Sequence, residues 1–150
     1  MTKAEIIAKL SDRDVVALTL WREAKPTTAG RVSVALVMSA RVRDGRYGTG
    51  YRGVCLKPWA FSCWKPEGGL SNHERLIAAA ERIVTGDPTV WKQDVGLREC
   101  AEIADALIVA SNATHYLTRA LYDTKPPAWA KQKAPAGELA GHLFFEKVDD

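Results

Sequence analysis

The chain lacks any apolar run approaching the ~18 residues of a membrane span. Its start, Met1-Thr2-Lys3-Ala4-Glu5, carries no signal-peptide core. The expectation is a protein made in a (host) cytoplasm, with no integral membrane segment. Cysteine is scarce: Cys55, Cys63 and Cys100 give an odd count with no C-x-x-C, which argues against a zinc ribbon or a disulfide scaffold. Cys55 and Cys63 are close enough in sequence to pair after export, and buried free thiols are the alternative. There are three histidines, with neither His-Glu-x-x-His nor His-x-His among them, so catalytic zinc finds no ligand spacing. No metal and no cofactor are expected. Charge of one sign is hardly in excess, at a net +3. That favours anionic partners such as a wall polymer, lipopolysaccharide or nucleic acid without selecting among them. Repeats, low-complexity tracts and interdomain linkers are absent. What is there is 150 residues, 47% hydrophobic and 26% charged, enough for one globular domain over residues 1–150 with a substantial core. We expect a monomer.

Ser11-Asp12-Arg13-Asp14 reads as a helix start, with Ser11 as N-cap and acids in the first turn. Pro26 ends that helix near Lys25. Thr28 is placed to cap a second helix over about 29–43, apolar almost all round through Val32, Val34, Ala35, Leu36, Val37 and Met38, and so expected in the middle of the domain. Residues 44–53 carry four glycines and two tyrosines and read as an exposed loop; 58–69 read as an aromatic loop. Ser71-Asn72-His73-Glu74 reads as a capping box before a helix that Gly86 ends, and 97–110 as another helix. His115 to Tyr122 and Leu143 to Val148 have the texture of strands. The fold class is α+β and mostly helical, with a small C-terminal β region.

The segment Leu20-Trp21-Arg22-Glu23-Ala24 puts one carboxylate at the end of a helix, before a Pro-Thr-Thr break and a more apolar helix. A carboxyl at such a junction can be partly desolvated and still face a cleft, which is what a general acid needs. Around it lie, in order, Val34-Ala35 through Ala40-Arg41-Val42, then Lys57-Pro58-Trp59-Ala60-Phe61-Ser62-Cys63-Trp64, Ala113-Thr114-His115-Tyr116, Pro127-Ala128-Trp129-Ala130 and Gly141-His142-Leu143-Phe144-Phe145. This ordered set resembles the SleB-like cell wall hydrolase family, of the spore-cortex lytic enzyme and phage endolysin type, from about residue 14 to 146. Ala60 departs from it, standing where the family is expected to carry glutamine.

The resemblance implies a lysozyme-like domain, goose-type or lytic-transglycosylase-like. It implies a peptidoglycan glycosidase acting on the β-1,4 bond between N-acetylmuramic acid and N-acetylglucosamine, as a lytic transglycosylase or muramidase, with the glycan strand as partner and no nucleic acid. Release through a holin would bring such an enzyme to the periplasm and wall. Glu23 is then the catalytic acid. Ser62, Trp64, His115, Tyr116 and Trp129 are the candidate substrate-binding residues: rings to cover sugar faces, polar groups to orient the acid or bind sugar. Trp59, Phe61 and Trp64 are, alternatively, core anchors. An inverting hydrolase would need a second carboxylate, for which Asp44 and Asp123 are the available loop acids. A zinc peptidase or amidase drawing on His73, His115, His142 and Asp123 is the competing enzyme class. Arg41, Arg43, Arg46 and Arg52 near Tyr47 and Tyr51 would suit a nucleic-acid module. A catalytically inactive wall-binding domain is the third class.

Overall fold

The computed structural model describes residues 1–111, 115–131, 134–135, 137–139 and 142–145. They form two compact units, Met1–Ala104 and Asp105–Asp150.

The first unit is helical. Helix α1 (Lys3–Lys9) is opened by Thr2, whose hydroxyl accepts from the Glu5 backbone N–H and donates to the Glu5 carboxylate, an N-cap that the sequence reading passed over. Helix α2 (Asp12–Glu23) starts at Ser11 as expected, with Ser11 accepting from the Asp14 N–H, and ends at Glu23. Its residues Val15 to Leu20 are all buried. Helix α3 (Thr28–Asp44) is capped by Thr27, one residue earlier than Thr28. Contrary to expectation, α2 and not α3 fills the middle. In α3 only Ala35, Met38 and Ser39 are buried, while Leu36 and Val37 stay 44% and 45% exposed. The charged residues of α2 sit at its two ends, and Thr19, whose hydroxyl is bonded within the core, is the one polar residue between them. The polar residues of α3 are spread along it, so no turn of it can be enclosed all round.

The expected loop over 44–53 is also corrected, because helix α4 (Gly50–Leu56) begins inside it. Burial of Tyr51, Val54 and Cys55 outweighs the low helix propensity of Gly50 and Gly53. Arg52 secures α4 by donating to the carbonyls of Leu10 and Ile7, at the end of α1. Two 3-10 turns, Ser62–Trp64 and Pro66–Gly68, follow. Helix α5 (Leu70–Val84) starts at Leu70 behind Gly69, with no side-chain cap, so Ser71 is inside the helix and not at a capping box. Helices α6 (Thr89–Gln93) and α7 (Val95–Ser111) complete the helical series, α7 running on into the second unit. Of the inward stripe expected for α7, Leu97, Ala101, Ala104 and Leu107 are buried and Ile108 is half-buried.

In the second unit, strands β1 (His115–Thr118), β2 (Gly137–Leu139) and β3 (His142–Phe145) pair antiparallel in the order β1-β3-β2. Helix α8 (Arg119–Thr124) takes the residues after Thr118 that were read as strand. Among the described residues no helix is long and apolar enough to cross a membrane.

Candidate active site

Glu23 is the last residue of α2, half-buried, and lines an open groove of about 510 Å³ with Ala24, Lys25, Thr27, Gly30 and Ser33 among its neighbours. The groove runs from the break after α2 along the first turns of α3. Gly30 keeps this junction tight: a Cβ there would come within 2.9 Å of the Lys25 Cβ.

The carboxylate is held from the other side by the first 3-10 turn. The Ser62 hydroxyl donates to Glu23 Oε1 at 3.1 Å, and the Cys63 backbone N–H donates to the same oxygen at 2.7 Å. The Cys63 thiol also lies against this carboxylate. The two bonds to Oε1 fix the plane of the group, and Oε2 is the oxygen they leave unengaged. The neighbouring Arg22 turns away, donating to Asn72 Oδ1 and lying over the Trp21 ring at 4.6 Å. Burial, with Arg75 close by, holds its guanidinium below the ordinary arginine value.

The turn that holds Glu23 is itself anchored three ways. Trp64 is only 7% exposed, and its indole N–H donates to the Thr19 hydroxyl at 2.9 Å, while that hydroxyl donates to the Val15 carbonyl at 2.7 Å. His73, buried in α5, places Nδ1 3.0 Å from the Cys63 carbonyl oxygen. A carbonyl only accepts, so Nδ1 carries the hydrogen, and the buried Nε2 has no partner among the described residues. Gly68 lets the second 3-10 turn lie against Ser62, where a Cβ would come within 2.4 Å of the Ser62 carbonyl oxygen. Cys63 is a free, buried thiol, as are Cys55 and Cys100. Burial pushes all three thiols up, Cys55 to about 12 and Cys100 to about 11, and for Cys63 the nearby Glu23 adds to the effect.

Of the residues proposed from sequence, then, Ser62 meets Glu23. Trp64 is corrected: its ring is spent on the core and its N–H on Thr19, so it offers no face to a sugar. The side chains of His115, Tyr116 and Trp129 lie outside the described residues. Asp44 is a turn residue, bound through both carboxylate oxygens to Arg46 at 2.6 and 2.8 Å. It stands at the far end of α3, about 16 Å along the helix axis from Ser33 and the groove. Asp123 pairs with Arg119 on α8 at 3.5 Å. His73 and the Cys63 N–H are the positioning groups that sequence reading missed. The first was read as a helix cap, and a backbone N–H has no residue signature.

Within the second unit His142 stands opposite Thr118 across β1 and β3, which sets its backbone about 10 Å along the strands from that of His115. Among the described residues no group of three or more His, Cys, Asp or Glu side chains comes together. Of the cluster suited to nucleic acid, Arg52 is committed to α1 and Tyr51 is buried.

A family described as cell wall hydrolases matches residues 26–145. The chain belongs to this family. Glu23 lies just ahead of the matched stretch, whereas the 3-10 turn that grips it lies within. No curated protein and no solved structure matches this cell wall hydrolase.

Proposed function

We propose that this cell wall hydrolase is a peptidoglycan glycosidase of lysozyme-like architecture, acting on the N-acetylmuramic acid–N-acetylglucosamine β-1,4 bond with Glu23 as its general acid. The observation that carries this is the Glu23 carboxyl itself. It opens on a groove and is held on Oε1 by the Ser62 hydroxyl and the Cys63 N–H, with Oε2 outside those two bonds. Protonated Oε2 gives its proton to the glycosidic oxygen as the bond from the muramic C1 breaks, leaving an oxocarbenium-like centre. The carboxylate so formed then takes a proton from the nucleophile that closes on C1. If this is the sugar's own 6-hydroxyl, the product is a 1,6-anhydro sugar; if water, a reducing end.

Among the described residues no second acid lines the groove, which favours the route in which one glutamate serves as acid and then base. An inverting hydrolase needs a second carboxylate about 6.5–9.5 Å away. His115, Tyr116 and Trp129 enter as sugar contacts on the family resemblance alone, as does the endolysin role.

Glu23→Gln keeps both hydrogen bonds to its side-chain oxygen and removes the proton. Turnover on purified sacculi is expected to fall about a hundredfold or more, with the melting temperature close to that of the wild type. Near wild-type turnover would remove Glu23 from the chemistry. Mass spectrometry of the wild-type digest separates anhydro ends from reducing ends. Freed stem peptides as the sole product would instead establish a peptidase or amidase.

A further inference from the structure

Beside the segment that grips Glu23 lies a surface cluster with no role in the chemistry above. Arg41 stands over both the Tyr47 ring, at 5.2 Å, and the Phe61 ring, at 5.6 Å. Lys57 Nζ lies 5.8 Å from the Tyr47 ring and donates to the Arg46 carbonyl, and the Arg46 guanidinium is 5.9 Å from the same ring. Arg46 is neutralised by Asp44. Among the described residues no acidic side chain pairs with Arg41 or Lys57. Between Lys57 and Phe61, in a tight turn closed by the Ala60 N–H on the Lys57 carbonyl, sits Trp59.

Trp59 is 72% exposed and is the one described non-glycine residue with positive φ, at +68°. A bulky residue in the left-handed region is strained, and no burial of the ring compensates it. A large apolar face is left exposed two residues in sequence from Lys57 and two from Phe61, the ring that Arg41 stands over, and among the described residues neither cation meets an acidic side chain. Such a surface suits a ligand with apolar ring faces and pendant anions.

We propose that Trp59, Arg41 and Lys57 form a binding surface for peptide-bearing glycan, with the Trp59 ring covering a sugar face and the two cations meeting stem-peptide carboxylates. This rests on the peptidoglycan reading and assigns it a second contact region, on the outward side of the segment whose inward side holds Glu23.

Binding measured in the Glu23→Gln protein separates affinity from turnover. The ligands are intact sacculi and glycan strands stripped of stem peptides by an amidase. Trp59→Ala is expected to weaken binding to both by about tenfold, the scale of one lost aromatic contact, and Trp59→Tyr to restore most of it. Arg41→Gln combined with Lys57→Gln is expected to weaken binding to sacculi about tenfold and to leave stripped glycan within about twofold. Melting curves confirm that each variant is folded. Folded Trp59→Ala that binds both ligands as before overturns the proposal, as does a charge variant that weakens both ligands equally. Tighter binding to a DNA oligonucleotide, lost in the charge variant, would assign the surface to nucleic acid instead. Should the wild type cleave no bond in sacculi, the peptidoglycan reading fails and this proposal with it; cleavage with unaltered Trp59→Ala binding overturns the surface alone.

Discussion

Trp59 and Trp64 belong to one short aromatic segment and face opposite ways. Trp64 is 7% exposed, hydrogen-bonded to Thr19 and packed beside α2. Trp59 is 72% exposed, in strained backbone, with no packing to justify the strain. Between them, Ser62 and Cys63 reach Glu23. The segment therefore works as a bracket: its inward end is fixed to the most buried helix, its middle holds the carboxylate, and its outward end is left available. Aromatic content alone did not distinguish these ends. Trp64 has a hydrogen-bond partner and a buried site to fill, and Trp59 has neither.

The sharpest way to break the contrast is to remove the inward ring. Trp64→Ala empties a buried site and is expected to lower the unfolding free energy by about 3–5 kcal/mol, a large share of the total for a small domain. Urea denaturation measures it. A midpoint close to wild type would show that the segment does not depend on this anchor. A smaller effect isolates the polar half of the same contact. Thr19→Val keeps the shape but removes the acceptor for the Trp64 N–H and the donor to the Val15 carbonyl. The expected loss is about 1–3 kcal/mol, the cost of leaving a buried donor without a partner. Turnover should fall with it as the turn holding Glu23 loosens; stability and turnover both unchanged would mean the N–H finds another acceptor.

The sequence disclosed the helical elements where polar punctuation is strong. Ser11 and the acids after it open α2, and Pro26 lies just past its end. Thr2 and Glu5 offered the same kind of signal for α1. Which helix would be enclosed was misread: polar residues recur along α3, whereas between Asp14 and Arg22 α2 carries only Thr19. The candidate site divides the same way. Glu23 and Ser62 were legible as side chains in a family pattern, though 39 positions separate them. The Cys63 N–H and the His73 clamp were not, because one is backbone and the other becomes visible only when α5 brings it beneath the turn. The opposed directions of Trp59 and Trp64 were equally illegible, since irregular turns have no period from which a face can be read.

The smallest expected effect has the most diagnostic sign. At φ +68° glycine is at ease and tryptophan is not. Replacing Trp59 by glycine relieves about 1–3 kcal/mol of backbone strain, against about 1 kcal/mol for the greater freedom of glycine in the unfolded chain. Because the ring is exposed, little packing is lost with it. The net expectation is a gain of about 1 kcal/mol, seen by calorimetry as a melting temperature about 2–4 °C higher. The same variant should bind sacculi as weakly as Trp59→Ala. A residue kept only for stability would move both readings down together; one kept for a ligand moves them apart. A Trp59→Gly protein that melts below the wild type would show that the ring packs against the fold after all, and the outward end of the bracket would then be no different in kind from the inward one.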